Sequence, residues 1–427
     1  MDKLVYKSID EVAYHKTLSN GLNVYLIKKE GFNDKCAFYG TKFGSFQTGD
    51  YLIDKNNEKH EVVGGIAHFL EHRLFDYYKG NVMDLYDELG AYTNAFTSYN
   101  KTVYYFSTVN NFEECLNLLL DFPATFEMSE EAVNKEKDII VQELLMYKDM
   151  PDQKIFDKTI NNLYYEHPIK FDVGGEPSEV RGTTRDLLKL CQQTFYSPSN
   201  MYLVVVGDID IDKTMELIEN NQKDKTFETS KWEEKTINEN YNKVIKDYEE
   251  IKESINNDKL MIAYKLKPFD SENRMKKQMC MEFLSSILFG SNTDFYEYLI
   301  KNELASNIES GYIGYSDVSL LAFNADITDS EKVIRLVKNR VENALSLINE
   351  EELENLKKSE TSFIIRTCNS CSELAKYFAV YLFEDTNYFN LVDIIKSITV
   401  NDLISVYNEY LKDAVSSTCV LRGESND

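Results

Sequence analysis

Two stretches of this chain repeat each other at a fixed distance. Asp186-Leu187-Leu188-Lys189-Leu190 aligns without gaps on Asp402-Leu403-Ile404-Ser405-Val406 at an offset of 402 − 186 = 216 residues. The same offset brings Leu203-Val204-Val205-Val206-Gly207 onto Cys419-Val420-Leu421-Arg422-Gly423. Helix, loop, apolar strand and glycine thus recur in one order, near the middle and near the end. A chain of 427 residues is too long for one typical core, so the repeat implies two similar domains. Strand-like runs at 21–28, 104–108 and 260–266 alternate with amphipathic helical patterns at 331–348, 372–382 and 401–411. The predicted fold class is α+β, each domain a mixed β-sheet packed with helices. Between the copies, from Asn220 to Glu253, the chain is charged and nearly free of apolar residues, which reads as a mobile linker or a solvated helix. The expected domains are 1–220, a linker over 221–256, and 257–427.

The residues able to do chemistry gather in the first half, around Gly64-Gly65-Ile66-Ala67-His68-Phe69-Leu70-Glu71-His72. Residues four apart stand one turn above each other on a helix, so His68 and His72 can reach a single ion. Glu71 lies beside them, while Ile66, Phe69, Leu70, Leu74 and Tyr77 form an opposite apolar stripe that would anchor the helix to a core. The bland alternative is the solvated face of an amphipathic helix. A catalytic zinc site needs a third protein ligand and leaves a position for water. Ser129-Glu130-Glu131 starts a helix that Asp149-Met150-Pro151 stops, and it places Glu136 and Glu143 on one face among Val133, Ile140 and Tyr147. Carboxylates in an apolar stripe call for a partner, although a surface helix rich in Lys and Glu remains the alternative.

The inverted HxxEH motif followed by Glu136 and Glu143 resembles the M16 zinc metallopeptidases, the insulinase, pitrilysin and mitochondrial processing peptidase group. Between the two helices, Asn94-Ala95-Phe96-Thr97-Ser98 is similar to the family's Asn-Ala-x-Thr-Ser strand bordering the active site. The resemblance begins near Asn20-Gly21-Leu22-Asn23-Val24, is strong to Gly207 and weaker beyond. It is nearest the short bacterial, YmfH-type branch, echoed at Glu30-Gly31-Phe32-Asn33 and Gly44-Ser45. It implies two repeated LuxS/MPP-like domains forming half of a clam shell. It also implies one Zn²⁺ per chain, held by His68, His72 and Glu143, with Glu71 as the base and Glu136 as catalytic support behind the ligands. Asn94 and Ala95 would pair with the substrate backbone, giving a zinc endopeptidase that hydrolyses short unstructured peptides with loose specificity. A non-catalytic scaffold or assembly subunit is the alternative, but such proteins usually lose motif residues that are present here.

All five histidines precede the linker, so a single metal site is expected. In the family the second half often supplies an Arg and a Tyr seven residues apart; here the matching positions are Leu299 and Ser306. The resemblance therefore implies a heterodimer whose second M16-like subunit carries that pair. Seven scattered cysteines make no disulfide framework, and Cys368-Asn369-Ser370-Cys371, with no second pair, reads as a helix boundary rather than a redox motif. With no basic apolar leader and no run of ~18 apolar residues, a cytoplasmic location is expected. A formal charge of −25, from 72 acids against 47 bases, argues against nucleic acid and anionic membranes as partners.

Overall fold

The computed structural model describes residues 1–227 and 230–423; residues 228 and 229 of the expected linker and 424–427 of the expected second domain lie outside them. The chain forms two compact units. The first comprises 1–145, 171–236 and 364–391, the second 146–170, 237–363 and 392–427.

The first unit is built on a seven-stranded sheet in the order Asp2–Tyr6, Glu11–Thr17, Asn23–Lys28, Met201–Gly207, Lys35–Thr41, Thr102–Thr108 and Ala91–Thr97. Met201–Gly207 runs parallel to Asn23–Lys28 and antiparallel to Lys35–Thr41. Its residues 203–206 are fully buried, which is why they form a continuous Leu-Val-Val-Val run rather than an alternation. The second unit holds a five-stranded sheet in the order Tyr248–Glu253, Val415–Gly423, Asp258–Leu266, Ser319–Ile327 and Ala305–Gly314. Val415–Gly423 likewise lies between one parallel and one antiparallel neighbour. The two runs found by the 216-residue repeat thus occupy the same place in two sheets, and the strands outward from them correspond one for one. The first sheet adds two strands at one edge.

Each unit also contains a helix from the other half of the sequence. Pro151–Leu163 packs on Asp258–Leu266 and Val415–Gly423, while Cys371–Leu382 packs on Lys35–Thr41 and Met201–Gly207. Gly40 makes room for this exchange: a Cβ there would stand 2.6 Å from the Phe383 ring. A division at one linker does not describe such packing, because an amphipathic helix advertises an apolar face without saying which sheet it covers.

The stretch read as a mobile linker or solvated helix contains strands instead, Lys231–Glu233 and Tyr248–Glu253. In the latter, exposed Tyr248, Glu250 and Lys252 alternate with half-buried Glu249, Ile251 and Glu253. An edge strand needs only backbone pairing on one side, and charge on its faces guards it against further pairing. Between these strands, Glu239 accepts the backbone N–H groups of Tyr165, Glu166 and His167. It also pairs with Lys265, which is 1% exposed. The Lys265 ammonium donates further to the carbonyls of Leu163 (2.8 Å) and Asn240 (2.9 Å). Among the described residues no helix is long and apolar enough to cross a membrane.

Two predictions follow from the second unit. Lys265→Met leaves the Glu239 carboxylate buried without its cation and should destabilise that unit by ~3–5 kcal/mol, measured by calorimetry, with a smaller loss in the K265M/E239Q pair. Glu282, on the helix Arg274–Phe289, is pushed up to about 7 by burial and then by the facing Glu360, against a backbone hydrogen bond from Tyr312. The folded state therefore keeps a proton the unfolded chain has already released, so stability falls as pH rises from the ordinary carboxylate range through about 7. Glu282→Gln should flatten that fall and leave the protein more stable at alkaline pH by roughly 1–3 kcal/mol, read from melting curves across pH.

Candidate metal centre

The helix Ile66–Leu74 starts where two pairs of glycines touch. Gly65 caps it in the left-handed region (φ 77°), and a Cβ there would lie 2.0 Å from the Gly174 carbonyl oxygen. A Cβ on Gly175, also at φ 77°, would lie 2.5 Å from the Gly64 carbonyl carbon, and Glu179 accepts the Gly64 N–H at 3.1 Å. From this fixed start Ile66, Ala67, Phe69, Leu70 and Leu74 turn into the core, each at most 2% exposed. His68, Glu71 and His72 are left on the other side. Tyr77, read as the end of the apolar stripe, lies past the helix but is still buried.

The helix Glu130–Lys148 supplies the carboxylates. Val133, Ile140, Val141 and Leu144 bury its inner face and carry Glu136 with them, while Glu143 is half-buried. Tyr147 departs from the expected stripe and is exposed.

The two helices bring His68, His72 and Glu143 together. Oε2 of Glu143 lies 3.5 Å from His72 Nε2 and 3.9 Å from His68 Nε2, and the three ligand atoms all fall within 4.8 Å of one another. These separations are too long for good hydrogen bonds; the edge of a tetrahedron around an ion about 2.0–2.2 Å from each donor is ~3.3–3.6 Å, which the 3.5 Å pair meets and the 3.9 Å pair reaches by closing a few tenths of an ångström. His72 Nδ1 lies 3.1 Å from Glu136 Oε1, so Nδ1–H donates there and the Nε2 lone pair faces Glu143. The other Glu136 oxygen accepts from Arg73 at 3.1 Å, and buried Arg73 also pairs with Asp76. The His72 hydrogen bond, helped by Arg73, holds the Glu136 carboxyl below its usual range despite burial.

Burial, with His72 alongside, pushes His68 down to about 4, which keeps its lone pair free. Burial also acts to lower His72, but Glu136, Glu143 and Glu71 outweigh it and raise it. Carboxylates gathered around two imidazoles favour positive charge at this spot, which a divalent cation supplies. The donor set of two imidazole nitrogens and one carboxylate fits zinc with an open position. The described residues hold one other such grouping, Asp54, Glu58 and His60, where the Asp54 carboxylate is already engaged by the N–H groups of Asn56 and Glu58.

Glu71 accepts a hydrogen bond from the Thr97 hydroxyl at 2.5 Å. Burial raises its carboxyl, and that hydrogen bond opposes the rise. Thr97 was not among the candidate residues, although it stands inside the strand motif that drew attention to Asn94 and Ala95. Those two lie three and two residues before it on Ala91–Thr97, the last strand of the sheet, which among the described residues pairs with Thr102–Thr108 alone. Asn94 Oδ1 accepts the Ala95 N–H at 2.8 Å, and its amide donates to the Tyr92 hydroxyl at 3.1 Å.

Cys368 follows the helix Glu350–Thr367, and Cys371 opens the next, capped by Ser370. Both thiols are buried, and burial pushes them up to about 11 and about 12.

Comparison with known proteins agrees with this architecture. The insulinase (peptidase family M16) model matches residues 57–174, and the M16 inactive-domain model matches 183–360. The chain is 33% identical over 407 residues to the uncharacterized zinc protease YmfH of Bacillus subtilis, covering 95% of each chain. It is 27% identical to the zinc protease PqqE of Helicobacter pylori, covering 95% of this chain and 92% of the relative. It superposes on an M16-like peptidase from Alicyclobacillus acidocaldarius with a TM-score of 0.90 at 25% identity, covering 96% of this chain and 98% of that one. A sheet-and-helix plan found twice, a model match to each half and full-length similarity to zinc proteases make this chain a member of peptidase family M16.

Proposed function

We propose that the chain is a zinc-dependent endopeptidase that hydrolyses amide bonds of short unstructured peptides. The observation that carries this reading is the meeting of Glu143, from one helix, with the Nε2 atoms of His68 and His72 on another. When bound there by His68, His72 and Glu143, Zn²⁺ would lower the pKa of water to about 7 and polarise the scissile carbonyl. Glu71, one residue before His72, takes the proton from the attacking water and returns it to the leaving amine. Glu136 fixes the His72 tautomer and is itself pinned by Arg73, so it supports the site without binding the metal. The open edge of Ala91–Thr97, at Asn94 and Ala95, accepts the peptide as an added strand, with little demand on its side chains.

A second M16-like subunit completes the enzyme in this reading. Leu299, aligned with the family's Arg, is fully buried in the helix Asp294–Lys301, and Ser306 stands in the place of the Tyr. Neither supplies a cationic or phenolic donor for a developing oxyanion. Seven buried free cysteines support a reducing compartment such as the cytoplasm.

Metal analysis of the purified chain should find one zinc, lost in His68→Ala, His72→Ala and Glu143→Ala. Glu136→Gln should keep the stoichiometry and weaken affinity by ~10–100-fold; zinc retained at full affinity in all three ligand variants sinks the assignment. Glu71→Gln should keep zinc and abolish cleavage of an internally quenched peptide. Hydrolysis that survives this change removes Glu71 from the mechanism. The chain alone should cleave that peptide ~100-fold more slowly than with a subunit bearing the Arg/Tyr pair, and full activity in isolation overturns the need for a partner.

A further inference from the structure

We propose that Thr97 is the positioning residue of Glu71, holding the base in place through its hydroxyl. The inference rests on Glu71 being the base. The Thr97 hydroxyl reaches Glu71 Oε2 at 2.5 Å and lies 3.2 Å from the Thr102 hydroxyl. Thr102 is fully buried and donates its own hydrogen to the Phe43 carbonyl at 2.9 Å. The two hydroxyl hydrogens thus point away from each other, to Glu71 and to the Phe43 carbonyl, and the strand pairing of Thr97 with Thr102 fixes the backbone between them.

While Glu71 is a carboxylate, Thr97 donates to its Oε2. The proton of the attacking water goes to the other carboxyl oxygen, so Oε2 becomes a carbonyl oxygen that still accepts from Thr97. The Thr97 hydrogen stays in place while that proton arrives and then leaves for the amine.

The backbone around Thr97 is held from outside the site. Thr97 ends its strand at a tight turn, where Ser98 N–H donates to the Lys101 carbonyl at 2.8 Å. The segment 44–46 presses on that turn: Phe46 N–H donates to the Tyr99 carbonyl at 2.8 Å, and a Cβ on Gly44 would lie 2.2 Å from the Ser98 carbonyl oxygen. The Asn100 amide donates to Glu384 at 2.7 Å on the other side. Such bracing is what a group needs if a shift of a fraction of an ångström would spoil its hydrogen bond.

The test compares Thr97→Val, which keeps the shape and loses the hydroxyl, with Thr97→Ser, which keeps the hydroxyl. Zinc-loaded chains are used, with the partner subunit in the kinetic arm. Thr97→Val should lower kcat for the quenched peptide by ~10–100-fold, the rate equivalent of one hydrogen bond to a charged group, with KM and zinc content unchanged. Thr97→Ser should restore most of it, and Thr97→Ala should behave as Val does. A peptide hydroxamate, whose hydroxyl hands a proton to Glu71, should bind Thr97→Val ~10-fold more weakly by calorimetry, a readout that needs no turnover. On the Glu71→Gln background, Thr97→Val should change hydroxamate affinity no further. Unchanged kcat in Thr97→Val, or a Ser variant as impaired as the Val one, overturns the role of Thr97 while leaving Glu71 as base. Hydrolysis that survives in Glu71→Gln overturns the base itself.

Discussion

Everything about the first unit's chemistry depends on carboxylates from one helix facing imidazoles on another. Neither helix would expose this arrangement to its partner unless backbone closeness first fixed the angle between the chain segments. The contact of Gly64-Gly65 with Gly174-Gly175 does this at the start of the histidine helix, and the apolar inner faces of both helices do the rest. Glu143 then stands 3.5 and 3.9 Å from two ring nitrogens, while Glu136, two turns earlier on the same face, takes the opposite nitrogen of His72. Two carboxylates seven residues apart thereby face opposite nitrogens of one imidazole.

Among the described residues, the candidate metal ligands His68, His72 and Glu143 all lie in the first of the two repeated units. Both sheets have the same central strand with one parallel and one antiparallel neighbour, and both end in an antiparallel hairpin whose outer strand is an edge. In the first unit a helix beside that edge carries two histidines and a glutamate. In the second, the helix packed on the edge strand Ala305–Gly314 carries Glu282, whose carboxyl faces Glu360 rather than an imidazole. Without a nitrogen donor such a pair resolves its repulsion by keeping a proton. The same scaffold thus presents a candidate metal-ligand set in one copy and a half-buried carboxyl pair in the other.

Much of this was legible in the chain. The helix Glu130–Lys148 begins and ends where Ser129 and Pro151 signal, and the central strands sit where the apolar runs and their glycines are. His68 with His72, and Glu136 with Glu143, could each be placed on one helix face from spacing, because an α-helix converts sequence distance directly into direction, whereas their roles came from the family resemblance. Thr97 could not be named that way, since its partner is 26 positions away and on a different element. The strand Tyr248–Glu253 was misread for a related reason: its charges describe the solvent it faces, and its pairing with Val415–Gly423 is a backbone property that no side-chain pattern records.

Local periodicity and the 216-residue repeat were thus enough to determine two α+β units, the metal-type helix and the second carboxylate helix. The tertiary structure alone decided which nitrogen of His72 faces Glu143, that Thr97 holds Glu71, and that residues 146–170 and 364–391 each join the unit built from the opposite half of the chain. The reason is the range of the forces involved. Helical and strand patterns are written by neighbours within a turn or two, whereas pairing across elements depends on how apolar faces pack and where glycines let backbones touch.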